Sequence, residues 1–175
     1  MRILAISGSA RRESTNTAML RAVAAVAPEG VEVVVFEGVG RLPVFSPDLD
    51  SDPPAEVRAF IRLVEASDGV IVSSPEYVRA LPGGMKNAID WLVSRETLVG
   101  KPMALLHASH RGDDMLESLR NVLATVSNRF APEPFLRLSL MKMSPAEIAE
   151  RLARPENVAA IQAYLGAFVR LCASL

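Results

Sequence analysis

Arg2-Ile3-Leu4-Ala5-Ile6-Ser7-Gly8-Ser9-Ala10-Arg11-Arg12-Glu13-Ser14-Thr15-Asn16-Thr17 decides how the rest of the chain is read. Ile3–Ile6 is an unbroken apolar run that ends in Ser and Gly. It is too short for a helix and reads as a strand covered on both faces. A small, hydroxyl-rich loop follows. From Thr17 to Ala27 the apolar residues fall at Met19, Leu20, Val23 and Val26, the spacing of an amphipathic helix. Strand, polar loop and helix form the opening unit of an α/β fold.

The same unit recurs along the chain. Val31–Phe36, Val70–Val72, Met103–Leu106 and Phe135–Leu140 read as strands. Ala55–Ala66, Met85–Val93, Met115–Val126 and Asn157–Leu171 carry helical spacing. Five strand–helix repeats imply right-handed crossovers and a parallel sheet with helices on both faces. Two segments break the alternation. Glu37–Pro53 is a long connection containing Pro and Gly, and such loops are often functional or covered by neighbours. Met143–Arg154 contains Ser144-Pro145-Ala146-Glu147, a helix start with Ser as cap and Pro in the first turn. No linker, repeat or low-complexity tract divides the chain, so residues 1–175 are expected to form one domain.

Bulk composition narrows the function classes. Half of the 175 residues are hydrophobic and 5% are aromatic, so the core is built from Ala, Val, Leu and Ile. The formal net charge is −1. That gives no electrostatic case for nucleic acid or an anionic membrane as partner. It also argues against a strongly acidic one-electron shuttle that steers its partners by charge. The single cysteine, Cys172, excludes an internal disulfide and a Cys-rich metal site. It reads as a small buried hydrophobe on the last helix. The opening apolar run is too short for a signal peptide and none reaches a membrane span, so a cytoplasmic protein is expected.

Open α/β sheets bind ligands beyond the carboxyl ends of their strands, where strand order reverses. In a sheet ordered 2-1-3-4-5 that point lies between strands 1 and 3, with strand 4 alongside. The loop after strand 1 feeds a helix N-terminus, which suits a phosphate. Ser9, Ser14, Asn16 and Thr17 add side-chain donors and Arg11 adds charge. A plain helix cap with solvated neighbours accounts for the same residues. The loop lacks the Gly-Lys-Ser/Thr ending of a P-loop and the three glycines of a dinucleotide fingerprint. After strand 3, Pro75-Glu76-Tyr77 leads to Leu81-Pro82-Gly83-Gly84, a rigid loop able to support a flat ring at Tyr77; Tyr77 as a packing residue is the alternative. Trp91 reads as core or interface. After strand 4, His107-Ala108-Ser109-His110-Arg111-Gly112-Asp113-Asp114 reads as a ligand-contacting loop or a solvated turn, with no matching ligands elsewhere for a metal site.

Two motifs carry a family resemblance. Gly8-Ser9-Ala10-Arg11-Arg12-Glu13-Ser14-Thr15-Asn16 matches a Gly-Ser-x-Arg-x-x-Ser-x-Asn pattern. Pro75-Glu76-Tyr77, followed by Pro82-Gly83-Gly84-Met85-Lys86-Asn87-Ala88-Ile89-Asp90-Trp91, matches a second. Together they resemble the NADPH-dependent FMN reductase family of quinone, chromate and azo-dye reductases. The resemblance implies a flavodoxin-like three-layer sandwich with a five-stranded parallel sheet in the order 2-1-3-4-5. It implies FMN as cofactor, with phosphate held by Ser9, Arg11, Ser14, Asn16 and Thr17. Pro75, Glu76 and Tyr77 would line the ring; the position of the third loop, apart from the resemblance, adds His107 and Ser109 as cofactor contacts. The resemblance further implies a homodimer or homotetramer. The third loop departs from the family's Gly-Gly-Arg-type stretch, having one glycine and two carboxylates.

The expected activity is hydride transfer from NADPH or NADH to flavin, then electron delivery to a small acceptor: a quinone, azo or nitro compound, metal oxyanion or free flavin. No side chain is assigned as catalytic acid, base or nucleophile, because the flavin carries the chemistry. A non-catalytic FMN-binding sensor or interaction module is the rival reading. Arg79, in the ring-side loop, reads as a contact for the 2′-phosphate of NADPH, a subunit contact or a solvated arginine.

Overall fold

The computed structural model describes residues 1–174. Its elements are β1 (Arg2–Ser7), α1 (Thr15–Ala25), β2 (Glu32–Phe36), α2 (Ala55–Glu65), β3 (Gly69–Ser73), α3 (Gly83–Val93), β4 (Met103–His107), α4 (Asp113–Val126), β5 (Phe130–Arg137), α5 (Pro145–Leu152) and α6 (Pro155–Ala173). The five strands form one parallel sheet in the order β2-β1-β3-β4-β5. This is the flavodoxin-like order. β1 lies at the reversal, pairing Ile3 with Val33 on one side and with Gly69 on the other.

Strand alternation divides the core into two layers. Leu4, Ile6, Val70, Val72, Met103 and Leu105 meet α2, α3 and α4. Ile3, Ala5, Ile71, Ala104 and Leu106 meet α1, α5 and α6. Each fully buried Leu, Ile, Val or Met contributes roughly 1.5–3 kcal/mol relative to exposure. β1, β3 and β4 are therefore apolar at nearly every position, as expected for strands covered on both sides. A Cβ at Gly69 would stand 2.5 Å from the Cys172 Sγ, so β3 enters the sheet directly beneath α6. Burial pushes the Cys172 thiol up to about 11, in keeping with a small hydrophobe rather than a nucleophile.

Three elements show the most telling boundary differences from the sequence reading. The fifth strand is Phe130–Arg137, not Phe135–Leu140. Pro132 and Pro134 concealed its first half, because prolines in a run argue against a strand. β5 is an edge strand paired with β4 alone, where missing donors are tolerated. Beyond it, the Leu138 and Leu140 amides still donate to the His107 and Ala108 carbonyls, at 2.8 and 3.2 Å. The first helix begins at Thr15 because Ser14 caps it, its Oγ accepting from the Thr17 amide at 3.3 Å. It ends at Ala25 rather than Ala27, and Pro28 disfavours helix at Ala27. The last helix extends from Pro155 to Ala173, beyond the Asn157–Leu171 pattern at both ends.

The long Glu37–Pro53 connection is closed down onto α3. Trp91 is fully buried and its indole N–H donates to the Pro43 carbonyl at 2.7 Å. Asn87 Oδ1 accepts from the Phe45 amide at 2.8 Å, while its Nδ2 donates to the Pro43 carbonyl at 2.9 Å. Phe45 packs edge-on against Trp91. The same connection brings Gly40 against Ala10, where a Cβ would stand 2.5 Å from the Ala10 Cβ. The segment thus buttresses the loop after β1.

Candidate functional site

The loops after β1, β3 and β4 converge at the carboxyl edge of the sheet, at the reversal of strand order. The first two are stitched together. The Gly8 amide donates to the Ser73 carbonyl at 2.8 Å. The hydroxyls of Ser7 and Thr17 share a buried hydrogen bond of 2.8 Å, and the Ser73 hydroxyl donates to Asn16 Oδ1 at 2.8 Å. These bonds fix α1 so that its first turn faces the β3 loop. Thr17 N–H is satisfied by Ser14 and Ala18 N–H by the Ser14 carbonyl. The amides of Thr15 and Asn16 have no intrahelical acceptor, which leaves them for an anion.

The β3 loop is held from the far side by α4. Glu76 Oε2 accepts from the Met115 amide at 3.2 Å, so this carboxylate caps the helix. Tyr77 and Ala80 exchange backbone hydrogen bonds of 3.0 and 3.1 Å around Val78 and Arg79. Both central residues have positive φ, 51° and 59°, which is the geometry of a two-residue type I′ turn. Val78 is 98% exposed at its tip. Arg79 Nε stands 3.5 Å from Asp114 Oδ2.

The β4 loop folds back over a buried imidazole. His107 is only 2% exposed, and its Nε2–H donates to the Arg111 carbonyl at 2.5 Å. Gly112, at φ 98°, lies against the ring: a Cβ there would be 3.0 Å from His107 Nε2. Nδ1 is buried with no partner among the described residues. Burial lowers the His107 pKa; the Arg137 guanidinium adds to this, while the Arg111 carbonyl, Asp113 and Glu76 oppose it. The ring is therefore neutral near pH 7, with Nδ1 as a bare acceptor.

Between these loops lies an open cavity of about 280 Å³. Thr15 and Asn16 stand at one part of its lining, Ser74, Pro75 and Glu76 at another, and His107, Ala108, Ser109, Arg111, Gly112 and Met141 complete it. Of the residues expected from sequence, Asn16, Pro75, Glu76, His107 and Ser109 line this cavity. Ser9, Ser14 and Thr17 are buried behind or beside it, and Tyr77 is half exposed at the adjoining hairpin. Arg11 opens onto a neighbouring surface basin with Arg12, Arg21, Arg41 and Glu37. Sequence reasoning missed Thr15, Ser74 and Met141, and within the third loop it did not single out Ala108, Arg111 or Gly112. Ser74 follows the last residue of β3 and was visible in position. Met141 was obscured by the misplaced end of β5.

The chain is 38% identical over 112 residues to a 2-hydroxy-1,4-benzoquinone reductase of Burkholderia sp, covering 62% of this chain and 61% of that protein. It is 33% identical over 113 residues to a quinone reductase of Escherichia coli, covering 62% and 60%. The aligned stretch thus spans less than two thirds of the length of these curated relatives. Among solved structures, a flavoenzyme NAD(P)H:(acceptor) oxidoreductase from Paracoccus denitrificans superimposes with a TM-score of 0.81 at 26% identity, covering 98% of this chain and 97% of that one. The sequence profile of one family matches residues 1–139, from β1 to just beyond β5: the chain belongs to the NADPH-dependent FMN reductase family.

Proposed function

We propose that this protein binds FMN and uses it to pass electrons from NADPH or NADH to a small acceptor of the quinone type. The observation that carries the reading is the cavity at the strand-order reversal. It joins the first turn of an 11-residue helix, at Thr15 and Asn16, to the loops after β3 and β4. Its residues fit the cofactor. The α1 N-terminus suits a phosphate dianion, with Ser9, Arg11 and Ser14 nearby as further donors. Pro75 and Glu76 form a wall whose position is fixed by the bond from Met115. Bound FMN supplies the redox chemistry, accepting hydride and delivering electrons onward.

The protein's part is positioning. Holding two rings in reactive contact is worth up to roughly 7–11 kcal/mol in ideal cases. Glu76 Oε2 caps α4 and His107 Nε2 is engaged with the Arg111 carbonyl, so both serve to hold the loops in place. The cavity is small and open for a cofactor of FMN's size, so part of the ring and the nicotinamide would lie at the surface. The exposed Tyr77, Val78 and Met141 beside it suit contact with a second subunit, in keeping with a homodimer or homotetramer.

Purification and an anaerobic titration with NADPH and NADH test this. The expected outcome is a yellow protein, or one that binds added FMN stoichiometrically, bleached by reduced nicotinamide and reoxidised by a benzoquinone. A protein that ignores FMN overturns the reading. One that binds FMN but turns over negligibly would instead be a flavin-binding module.

A further inference from the structure

Resting on the reading that reduced nicotinamide feeds a flavin in the cavity, we propose that the arginine basin beside the β1 loop is a phosphate-monoester site that takes the 2′-phosphate of NADPH, with Arg12 and Arg41 as specificity-determining residues. The basin is lined by Ala10, Arg11, Arg12, Arg21, Glu37 and Arg41, holds about 420 Å³ and shares no lining residue with the flavin cavity. Its one carboxylate is already committed, since both oxygens of Glu37 accept from Arg21 Nη2 at 2.7 Å. The side chains of Arg11, Arg12 and Arg41 make no hydrogen bond or ion pair among the described residues. Three guanidiniums are thus left without a counter-charge, in a chain whose formal net charge is −1.

Like charges gathered in one place repel, so stability alone gives no reason for this convergence. The fold nevertheless builds it. Gly40 packs on Ala10, where a Cβ would stand 2.5 Å from the Ala10 Cβ, and this carries Arg41 alongside Arg11 and Arg12. The Arg21–Glu37 pair ties α1 to the end of β2 and fixes another wall. A preformed hollow of planar donors with no spare carboxylate suits a doubly charged phosphate. Its place selects which one. The flavin phosphate is assigned to Thr15 and Asn16 with Arg11 nearby, which leaves Arg12 and Arg41. Thr15 lines the flavin cavity and is three residues from Arg12, so the two Cα atoms are at most about 11 Å apart. NADPH carries nicotinamide and 2′-phosphate at opposite ends. It therefore needs a phosphate site beside the flavin cavity but outside it. The basin at Arg79 does not serve, because Asp114 and Glu117 share it.

The test titrates the FMN-loaded full chain with adenosine 2′,5′-bisphosphate and with AMP by calorimetry. Wild type should bind the bisphosphate at least about tenfold more tightly, the effect of one charge-assisted bond or more. The advantage should shrink as salt rises. Arg12→Ala and Arg41→Ala should each remove most of it, and the double substitution all of it. Arg41→Lys keeps the charge without the planar fork and should retain part. In turnover, the double substitution should lower kcat/KM for NADPH about tenfold or more and leave that for NADH within about twofold. Equal affinity of wild type for the two nucleotides, or an advantage that survives the double substitution, overturns the assignment while FMN binding stands. Loss of FMN itself from the double variant would give these arginines to the flavin phosphate and overturn it too. A wild type that ignores FMN overturns the proposed function and this assignment with it.

Discussion

The indole N–H of Trp91 reaches 2.7 Å to the carbonyl of Pro43, across nearly fifty residues of sequence. Asn87, one helical turn earlier, grips the same segment through Phe45 and Pro43. The Asn-Ala-Ile-Asp-Trp part of the second motif is therefore scaffolding, which ties the long β2–α2 connection to α3. Asn87→Ala strands the Phe45 amide and should cost about 1–3 kcal/mol. Trp91→Phe keeps the packing but loses one bond and should cost about 1 kcal/mol. Urea denaturation measures both. FMN affinity should stay within about twofold of wild type, because neither side chain reaches the cavity.

Gly8 is a close-approach glycine. An added Cβ would stand 2.5 Å from Ser74 Oγ and 3.2 Å from Ser74 Cα, so backbone as well as side chain must move. Gly8→Ala should destabilise the fold by about 1–3 kcal/mol. It should also weaken FMN binding by more than tenfold, because it separates the two loops that flank the cavity. Thermal melts and a flavin titration check the two effects separately.

The Val78-Arg79 turn is built from the wrong residues for its geometry. A type I′ turn favours Asn-Gly, and a β-branched residue at positive φ is strained. Replacing the pair by Val78→Asn and Arg79→Gly should stabilise the protein by roughly 1–2 kcal/mol. Arg79→Ala alone should change stability by less than about 1 kcal/mol, since its pair with Asp114 is largely exposed. Arg79 shares its basin with Asp114 and Glu117, which disfavours an incoming phosphate. The ratio of kcat/KM for NADPH over NADH should therefore survive Arg79→Ala; a tenfold fall would assign the 2′-phosphate to this residue.

His107 makes stability depend on pH in a defined window. Its folded pKa lies below the ordinary 6.5, chiefly through burial, with Arg137 adding to the shift and Asp113 and Glu76 opposing it. Between the folded and unfolded values the unfolded chain binds more protons, so stability rises with pH. The contribution is complete above about pH 6.5 and is lost as pH falls toward the folded value. Asp113 and Glu147 are also shifted down, but they act only in the carboxylate range. The melting temperature of wild type should fall between pH 7 and 5, and His107→Asn should flatten that limb. An unchanged slope would place the titration elsewhere.

What the sequence by itself determined was the alternation. Continuous apolar strands such as Ile3–Ile6 and Val70–Val72, separated by helical spacing, suffice for a covered parallel sheet, because burial on both faces leaves no polar side. The hydroxyl-rich loop before α1 and the Pro/Gly-bounded loop after β3 were legible too, since turn chemistry is local. What only the tertiary structure decided were the partners. No local pattern reveals that Glu76 caps α4, that Trp91 holds Pro43, or that His107 spends one nitrogen on Arg111 and leaves the other bare. Those depend on which polar groups meet once water is excluded, and that is set by the packing of segments distant in sequence.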